Sequence, residues 1–346
     1  MFGNLISFGA KRDFRFKLLV LSVSSFYLSM FFVNFWHNTE GYTKSQYLNE
    51  KSIVSGASQS SIIPKKLLIY YGYPSSINAS GADASKAVQH FAKYDYVVLG
   101  ESLEDLSHND HNRTVEIVSH QLTDNVKFFG YVDSRLSLNA SWDNIDQWIA
   151  TGVDGIFFDV FAYDYGITRS QQNALVDYAH NRGTLVFVNG WDPDDVFGNA
   201  INSQYNPNGA ATSLGSRDFY LSESYQITLG NYQPESQWRA KQNKLDAYRD
   251  RLGFEVLAVT TGSSSFQYDQ NKFFYAWYSA LIDGYEAVGW GEASFSSSAQ
   301  PYRARPNFSL DNTFTSALIN QSPIFKRLTS LGEVWVNTAT HQYGFN

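Results

Sequence analysis

Acidic side chains directly follow several short apolar segments of this 346-residue sequence. Such segments are typical of buried parallel strands, and barrels of these strands place their chemistry at the carboxyl ends of the strands. Acids that meet there could bind a metal ion, hydrolyse a glycosidic bond or abstract a proton. The strand-end acids are Glu101, Asp133, Asp159, Asp192, Glu223 and Glu292.

Asp159 and Glu223 are the best pair for glycoside hydrolysis, which needs two carboxyl groups flanking the bond. Asp159 leaves a buried strand directly, so it could be held rigidly as the nucleophile or charge stabiliser. Glu223 could stay protonated against an aromatic wall and act as general acid/base. Any one of these acids could instead cap a helix or lie in a solvated loop, as we expect for Asp194. Retention and inversion both stay open.

Aromatic side chains near the strand ends are candidate platforms for sugar rings. These are Tyr71, Tyr73, Tyr131, Tyr163, Tyr225 and Trp290. The chain has no cysteine, which excludes thiolate catalysis and Cys-based zinc sites. It also lacks HExxH, glycine-rich phosphate loops and the GxSxG elbow, so we expect neither a metal centre nor a nucleotide cofactor.

Short apolar runs alternate with amphipathic segments along the body of the chain. The predicted strands are Leu67–Tyr71, Tyr94–Gly100, Lys127–Val132, Gly155–Phe158, Thr184–Val188, Asp218–Leu221, Glu255–Thr260 and Tyr285–Trp290. The predicted helices are Ala84–Lys93, Thr114–Leu122, Trp142–Thr151, Arg169–Arg182, Gln237–Leu252, Asn271–Asp283 and a final one near Asn312–Leu331. This alternation predicts an α/β fold, a closed (β/α)8 TIM barrel over 64–346. A doubly wound open sheet is the alternative, because periodicity does not show closure.

The N-terminal region predicts a membrane anchor. Residues 18–36 carry no charge and are long enough to cross a bilayer. Basic residues in 1–17 place that segment in the cytoplasm, and the polar stretch 37–63 is typical of a flexible stalk. The barrel is therefore expected on the extracytoplasmic side of a single-pass membrane protein. A cleaved signal peptide is the competing interpretation.

Composition narrows the class of partner. The net charge of −7 argues against nucleic acid, since a duplex binder needs a basic surface. Aromatic residues make up 16% of the chain, which suits a carbohydrate binder.

Four stretches of the sequence resemble the spherulin-4-type barrel family, which is similar to glycoside hydrolase family 114, the endo-α-1,4-polygalactosaminidases. They are IYYGYPSSIN (69–78), YDYVVLGE (94–101), GVDGIFFDVFAYDYGITRSQQNALVDYAH (152–180) and VFVNGWDPDDVFG (186–198). The resemblance implies a (β/α)8 barrel that hydrolyses a galactosamine-containing polysaccharide. It also implies catalytic roles for Asp159 and Glu223, and family-like positions for Asp164 and Asn189. Relatives often carry an acid directly after the strand-four Asp, where this sequence has Val160.

Three functions follow as hypotheses. The first is a membrane-anchored glycoside hydrolase acting on an amino-sugar polysaccharide. The second, which Val160 favours, is a non-catalytic glycan-binding or surface-layer module. The third is a structural subunit of a membrane complex, in which the helix at 18–36 would pack against a partner.

Overall fold

The computed structural model describes residues 62–261, 268–292, 295–307 and 313–346. The segments predicted at 1–17 and 18–36, and the stalk up to residue 61, lie outside the described residues. In the part of the chain that is described, no helix has the length and apolar character needed to cross a membrane.

Strands and helices alternate from residue 65 to residue 291. The strands are β1 (Lys65–Tyr70), β2 (Tyr96–Leu99), β3 (Lys127–Asp133), β4 (Gly155–Asp159), β5 (Leu185–Val188), β6 (Phe219–Glu223), β7 (Ile227–Thr228), β8 (Asn231–Tyr232), β9 (Glu255–Thr261), β10 (Ala287–Gly291), β11 (Ile319–Gln321), β12 (Ile324–Leu328), β13 (Glu333–Asn337) and β14 (Gln342–Phe345). The helices are α1 (Ala84–Phe91), α2 (His111–Val118), α3 (Leu138–Thr151), α4 (Arg169–Asn181), α5 (Pro193–Phe197), α6 (Glu235–Leu252) and α7 (Gln270–Asp283). Short 3₁₀ turns lie at Pro74–Ala79, Gln121–Thr123 and Tyr163–Tyr165.

Eight parallel strands close into a barrel in the order β1, β2, β3, β4, β5, β6, β9, β10. Closure is made between β10 and β1, where Lys65 pairs with Ala287, while on the other side of β1 Leu67 pairs with Tyr96. The predicted (β/α)8 barrel is therefore confirmed, and the open-sheet alternative is wrong. The sequence pattern predicts neither the hairpin β7–β8 nor the short helix α5.

The barrel interior is filled by aromatic rings. Phe129, Phe157, Phe187 and Phe219 meet there edge to face, with ring centroids 4.9–6.2 Å apart. Side chains alternate between the axis and the helix layer along each strand, because the side-chain period of a strand is two. The residues two positions after these rings therefore continue inward, toward the carboxyl end of the barrel.

Helix α7 is apolar on nearly all sides, and it is covered by the barrel on one face and by a second sheet on the other. Its inner face packs on the barrel, and its outer face is covered by an antiparallel sheet in the order β11, β12, β13, β14. Tyr278 of α7 stacks on Tyr343 of β14 with ring centroids 5.0 Å apart. A helix that is hydrophobic all round needs such a second cover.

The C-terminal sheet corrects one prediction. A final helix is expected from the sequence near Asn312–Leu331, but residues 319–321 and 324–328 form strands. In β12 and β13 the buried residues Phe325, Val334 and Val336 alternate with less buried neighbours. That period of two fits a sheet with one covered face and does not fit a helix.

Candidate active site

Asp159 and Glu223 are joined by one side chain. Asp159 ends β4 and Glu223 ends β6, and Asn189 follows the strand between them, β5. The side-chain nitrogen of Asn189 donates to Asp159 Oδ1 at 3.2 Å and to Glu223 Oε2 at 2.9 Å. Because one nitrogen contacts both oxygens, the separation of Asp159 Oδ1 and Glu223 Oε2 cannot exceed the sum of these two distances.

The strands aim these three side chains at the same place. Phe157, Phe187 and Phe219 all point into the barrel, and Asp159, Asn189 and Glu223 follow at even spacings of two or four residues. Even spacing along a strand keeps the same face, so each polar side chain continues inward above the aromatic core. Both carboxyl groups therefore lie half-buried above a closed apolar layer.

Asp159 is a half-buried carboxyl that accepts several hydrogen bonds. It accepts the backbone N–H of Val160 at 2.9 Å and the hydroxyl of Tyr131 at 3.1 Å, in addition to Asn189. Burial, and then the negative charge of Glu223, raises the pKa of Asp159 from 3.8 to about 6, although the bonds from Val160 and Tyr131 oppose the rise. Asp159 is therefore ionised at neutral pH and becomes protonated near pH 6.

Tyr71 supplies an aromatic wall beside the pair. Its ring meets Tyr131 edge to face with centroids 5.3 Å apart, and it packs on the barrel interior. Burial, followed by the charges of Asp159, Tyr131 and Glu223, raises the pKa of Tyr71 well above its usual value. Tyr71 thus stays a neutral phenol beside two acids.

Val160 turns the chain at the end of β4 in an unfavourable conformation. Its φ of 51° lies in the left-handed region, which is rare for a β-branched residue. The turn brings the Val160 N–H onto the Asp159 carboxylate. Strained backbone of this kind persists only where the surrounding structure holds it in place.

Lys241 of α6 lies beside Trp191 in the loop after β5, although its position in the sequence does not follow a strand. Its Nζ is buried and has no hydrogen-bond partner among the described residues. It lies 5.1 Å from the ring centroid of Trp191 and 5.5 Å from that of Tyr220. Burial lowers the pKa of Lys241 to about 8, against the opposing charges of Glu223 and Asp192.

A helical pattern could have drawn attention to Lys241. It lies three residues after buried Trp238 and four before buried Leu245, which places it on the buried face of α6. Trp191, whose ring covers the Lys241 side chain, is 56% exposed and is likewise missed by a search of strand ends.

Asp133 lies next to the pair but is already bound. It sits directly opposite Asp159 in the register of β3 and β4. Arg135 holds both of its carboxylate oxygens, with contacts of 2.6–3.2 Å.

Tyr163 and Asp164 lie in the 3₁₀ turn after β4. Tyr163 is buried and stacks on Tyr205 with centroids 5.3 Å apart, so it is not open to a ligand in this conformation. Asp164 and Tyr165 are exposed on the same turn. Burial and the charges of Asp159 and Glu223 raise the pKa of Tyr165 to about 12.

Asp192 is occupied at the edge of the site. It caps α5 by accepting the N–H of Asp194 at 3.0 Å, and it forms an ion pair with Lys244 at 2.8 Å. The helix cap expected at Asp194 is therefore made by Asp192. Asp194 instead accepts a hydrogen bond from the Tyr248 hydroxyl and forms an ion pair with Lys244. Glu101 is exposed on the turn after β2.

Three candidate residues point away from the barrel mouth. The Tyr225 hydroxyl donates to buried Asp283 at 2.6 Å. Trp290 packs against Tyr268 and Phe273, outside the strands. Glu292 is 8% exposed and pairs with Arg303 at 2.6 Å. The structure does not bring these three residues to the Asp159–Glu223 pair.

The groups around the pair suit acid–base or nucleophilic chemistry. They comprise two carboxyl groups, a bridging amide and neutral phenols. Within the described ranges, no group of three or more His, Cys, Asp or Glu side chains is arranged to hold a metal ion.

No family model matches the sequence, and no curated protein matches it. Among solved structures, the chain is similar to the carboxyl transferase domain from Rhizobium etli pyruvate carboxylase, with 11% identity, a TM-score of 0.40, and coverage of 69% of this chain and 42% of that chain. It is also similar to deoxyribose phosphate aldolase from Aeropyrum pernix (13% identity, TM-score 0.39, 68% and 87% coverage) and to 7,8-dihydropteroate synthase from Vibrio fischeri ES114 (10% identity, TM-score 0.36, 68% and 89% coverage). The chain thus spans less than half of the carboxylase chain. Likeness at this level carries none of those activities over to this protein.

Proposed function

We propose that this chain is a glycoside hydrolase of the extracytoplasmic surface that cleaves an amino-sugar polysaccharide. The observation that carries the proposal is the contact of the Asn189 amide with both Asp159 and Glu223. Two carboxyl groups held across a barrel mouth at this span are what glycosidic bond cleavage requires.

Asp159 is the nucleophile in this proposal. It is ionised above about pH 6, and the N–H of Val160 and the hydroxyl of Tyr131 hold its carboxylate in place. In the form of the pair whose single proton lies on Glu223, that residue gives the proton to the leaving glycosidic oxygen as Asp159 bonds to the anomeric carbon. Glu223 then takes a proton from water, whose oxygen displaces Asp159. The short span favours this retaining route, because carboxyl groups of retaining enzymes lie about 5 Å apart.

The substrate class is proposed from the resemblance and from charge. The resemblance to the polygalactosaminidases suggests a polymer of galactosamine. Free amino groups of such a polymer are cationic, and a mouth lined by Asp133, Asp159, Asp164 and Glu223 would attract them. Exposed Trp191 offers a face on which a sugar ring can stack.

The localisation is proposed from the sequence alone. Residues 18–36 would anchor the chain, with 37–63 as a stalk and the barrel outside the cytoplasm. If so, the full chain sediments with membranes and resists carbonate extraction, and deletion of 1–36 releases it. Extraction of the full chain by carbonate would contradict the anchor.

The test of the activity uses the full chain in mild detergent with partially deacetylated galactosaminoglycan. We expect Asp159→Asn and Glu223→Gln each to lower the release of reducing ends at least about a hundredfold. Asp143→Asn and Glu116→Gln make the same chemical changes at exposed helix positions and should leave the rate unchanged. Undiminished release by both site variants would rule out the hydrolase.

Val160 favours a second candidate, a glycan-binding module without activity. In relatives an acid often occupies this position, directly after the catalytic-type Asp. If Val160 has removed an essential acid, the wild-type chain binds the polymer but releases no reducing ends, and Val160→Asp gains hydrolysis. Measuring binding and release on the same samples separates the two functions.

A further inference from the structure

We propose that Tyr225 is a positioning residue, which holds Glu223 where it can give its proton to the leaving oxygen. The inference rests on the proposed hydrolase function. It assigns a role in catalysis to a side chain that points away from the barrel mouth.

The chain turns in the same way after both acids of the pair. Val160 follows Asp159 with a φ of 51°, and Ser224 follows Glu223 with a φ of 55°. Both angles lie in the left-handed region, which residues other than glycine rarely adopt. A costly conformation that occurs directly after both acids indicates a demand that the two strand ends share.

The left-handed residue reverses the alternation of side chains along the strand. Glu223 continues the inner face of β6, and a continuous strand would carry Tyr225 inward as well. Tyr225 instead lies in the outer core, where its ring meets that of Tyr285 with centroids 5.1 Å apart. Phe161, two residues after Asp159, lies in the outer core in the same way. The turn thus lets an acid face the barrel interior while the aromatic residue after it is fixed on the side of the helices.

Tyr225 fixes this turn at two points. Its backbone N–H donates to the carbonyl oxygen of Val259 in the neighbouring strand β9 at 3.0 Å. Its hydroxyl donates to Asp283 Oδ2 at 2.6 Å, and both side chains are buried. Buried polar pairs that are satisfied in this way make the surrounding structure rigid.

The loop after Glu223 needs this anchor because it is strained further along. Gln226 and Leu229 also have positive φ angles, of 62° and 48°. Strained residues keep their conformation only where the surrounding contacts hold them. Without the Tyr225 hydroxyl we expect the loop to relax and Glu223 to move away from the Asn189 amide.

The test is the dependence of kcat/KM on the leaving group in Tyr225→Phe. Two substrates are compared, the phenyl and the dinitrophenyl glycoside of one galactosamine oligosaccharide. Phenolate is a strong base and needs a proton to leave, whereas dinitrophenolate leaves without one. A misplaced Glu223 should therefore lower kcat/KM about tenfold for the phenyl glycoside and leave it nearly unchanged for the dinitrophenyl glycoside.

Further variants make the result specific, and lower stability does not imitate it, since a smaller folded fraction lowers both rates equally. Asp283→Ala removes the other partner and should reproduce the pattern, and the double variant should be no worse than either single one. Asp283→Asn keeps an acceptor for the Tyr225 hydroxyl and should retain most of the rate. Tyr178→Phe also removes a hydrogen bond from a tyrosine to an aspartate, Asp146, in the helix layer and should behave as wild type.

The outcomes separate this inference from the proposed function. If wild type cleaves neither glycoside, the proposed function is wrong and the role of Tyr225 is wrong with it. If wild type is active and Tyr225→Phe slows both glycosides equally, or neither, Tyr225 does not position Glu223 and the hydrolase stands.

Discussion

Asp159→Asn is expected to stabilise the folded protein while it removes activity. Burial and the charge of Glu223 hold the pKa of Asp159 at about 6, above its usual 3.8. The folded state therefore binds this proton more tightly than the unfolded state does. Asparagine has nearly the same shape, keeps an oxygen for the N–H of Val160 and carries no charge to bury.

The size of the effect follows from the pKa shift. Below pH 3.8 the carboxyl is protonated in both states and costs nothing. As pH rises through the window from 3.8 to about 6, the unfolded chain ionises first and the folded protein loses relative stability. Above that window the penalty is constant at about 3 kcal/mol. Imperfect hydrogen bonding of the substituted amide costs about 1 kcal/mol, so the free energy of unfolding of the variant should be about 2 kcal/mol higher than that of wild type at pH 7.

Urea unfolding of both proteins at several pH values between 4 and 7.5 measures this difference. The advantage of Asp159→Asn in free energy of unfolding should be small or reversed at pH 4 and should grow to its full value above pH 6. Asp143→Asn, on the exposed face of α3, serves as control and should show no such growth. A variant less stable than wild type at pH 7, or a gap that does not depend on pH, would refute the electrostatic reasoning.

Three further changes have defined outcomes. Tyr131→Phe removes a donor that lowers the pKa of Asp159, so the acidic limb of kcat/KM against pH should move about half a unit higher. Trp191→Ala removes an exposed ring, so calorimetry should show about fivefold weaker binding of the polymer. Gly289→Ala places a Cβ 2.3 Å from the Leu67 carbonyl oxygen, where β10 meets β1. It should lower the free energy of unfolding by about 2 kcal/mol or more, whereas Gly215→Ala, in open space, should not.

The barrel can be predicted because its strands are buried on both faces. Runs such as residues 155–158 and 256–259 are apolar without a break, and amphipathic helices separate them. The C-terminal sheet cannot be recognised in the same way, since only one face of β12 and β13 is covered and their sequences are not continuously apolar. Helix α7 holds an indirect signal, because the consecutive buried residues 275–278 surround it with largely apolar surface that the barrel alone cannot bury.

The site can be predicted only in part, because a position at the end of a strand does not tell whether the side chain points into the barrel or toward the helices. Asp159 and Glu223 lie an even number of residues after the inward-pointing rings of their strands. In β10 the inward-pointing residue is Ala287, so Trp290 and Glu292, at odd spacings from it, lie on the side of the helices. Position after a strand does not separate these residues, but alternation along each strand does. The aromatic runs conceal that alternation, since both faces of each strand are apolar.

A strained backbone conformation and a poorly solvated charge both occur at the end of β4, and both lower the stability of the fold there. Val160 adopts a left-handed conformation that a β-branched residue rarely takes, and the result is a backbone N–H placed on the Asp159 carboxylate. Two acids share one amide above an apolar core, and a lysine is buried nearby without a hydrogen-bond partner among the described residues. Each of these features costs free energy by itself, and none is needed to close the barrel. Their coincidence at the carboxyl ends of β4 to β6, where barrels carry their chemistry, is the physical reason to look for catalysis there.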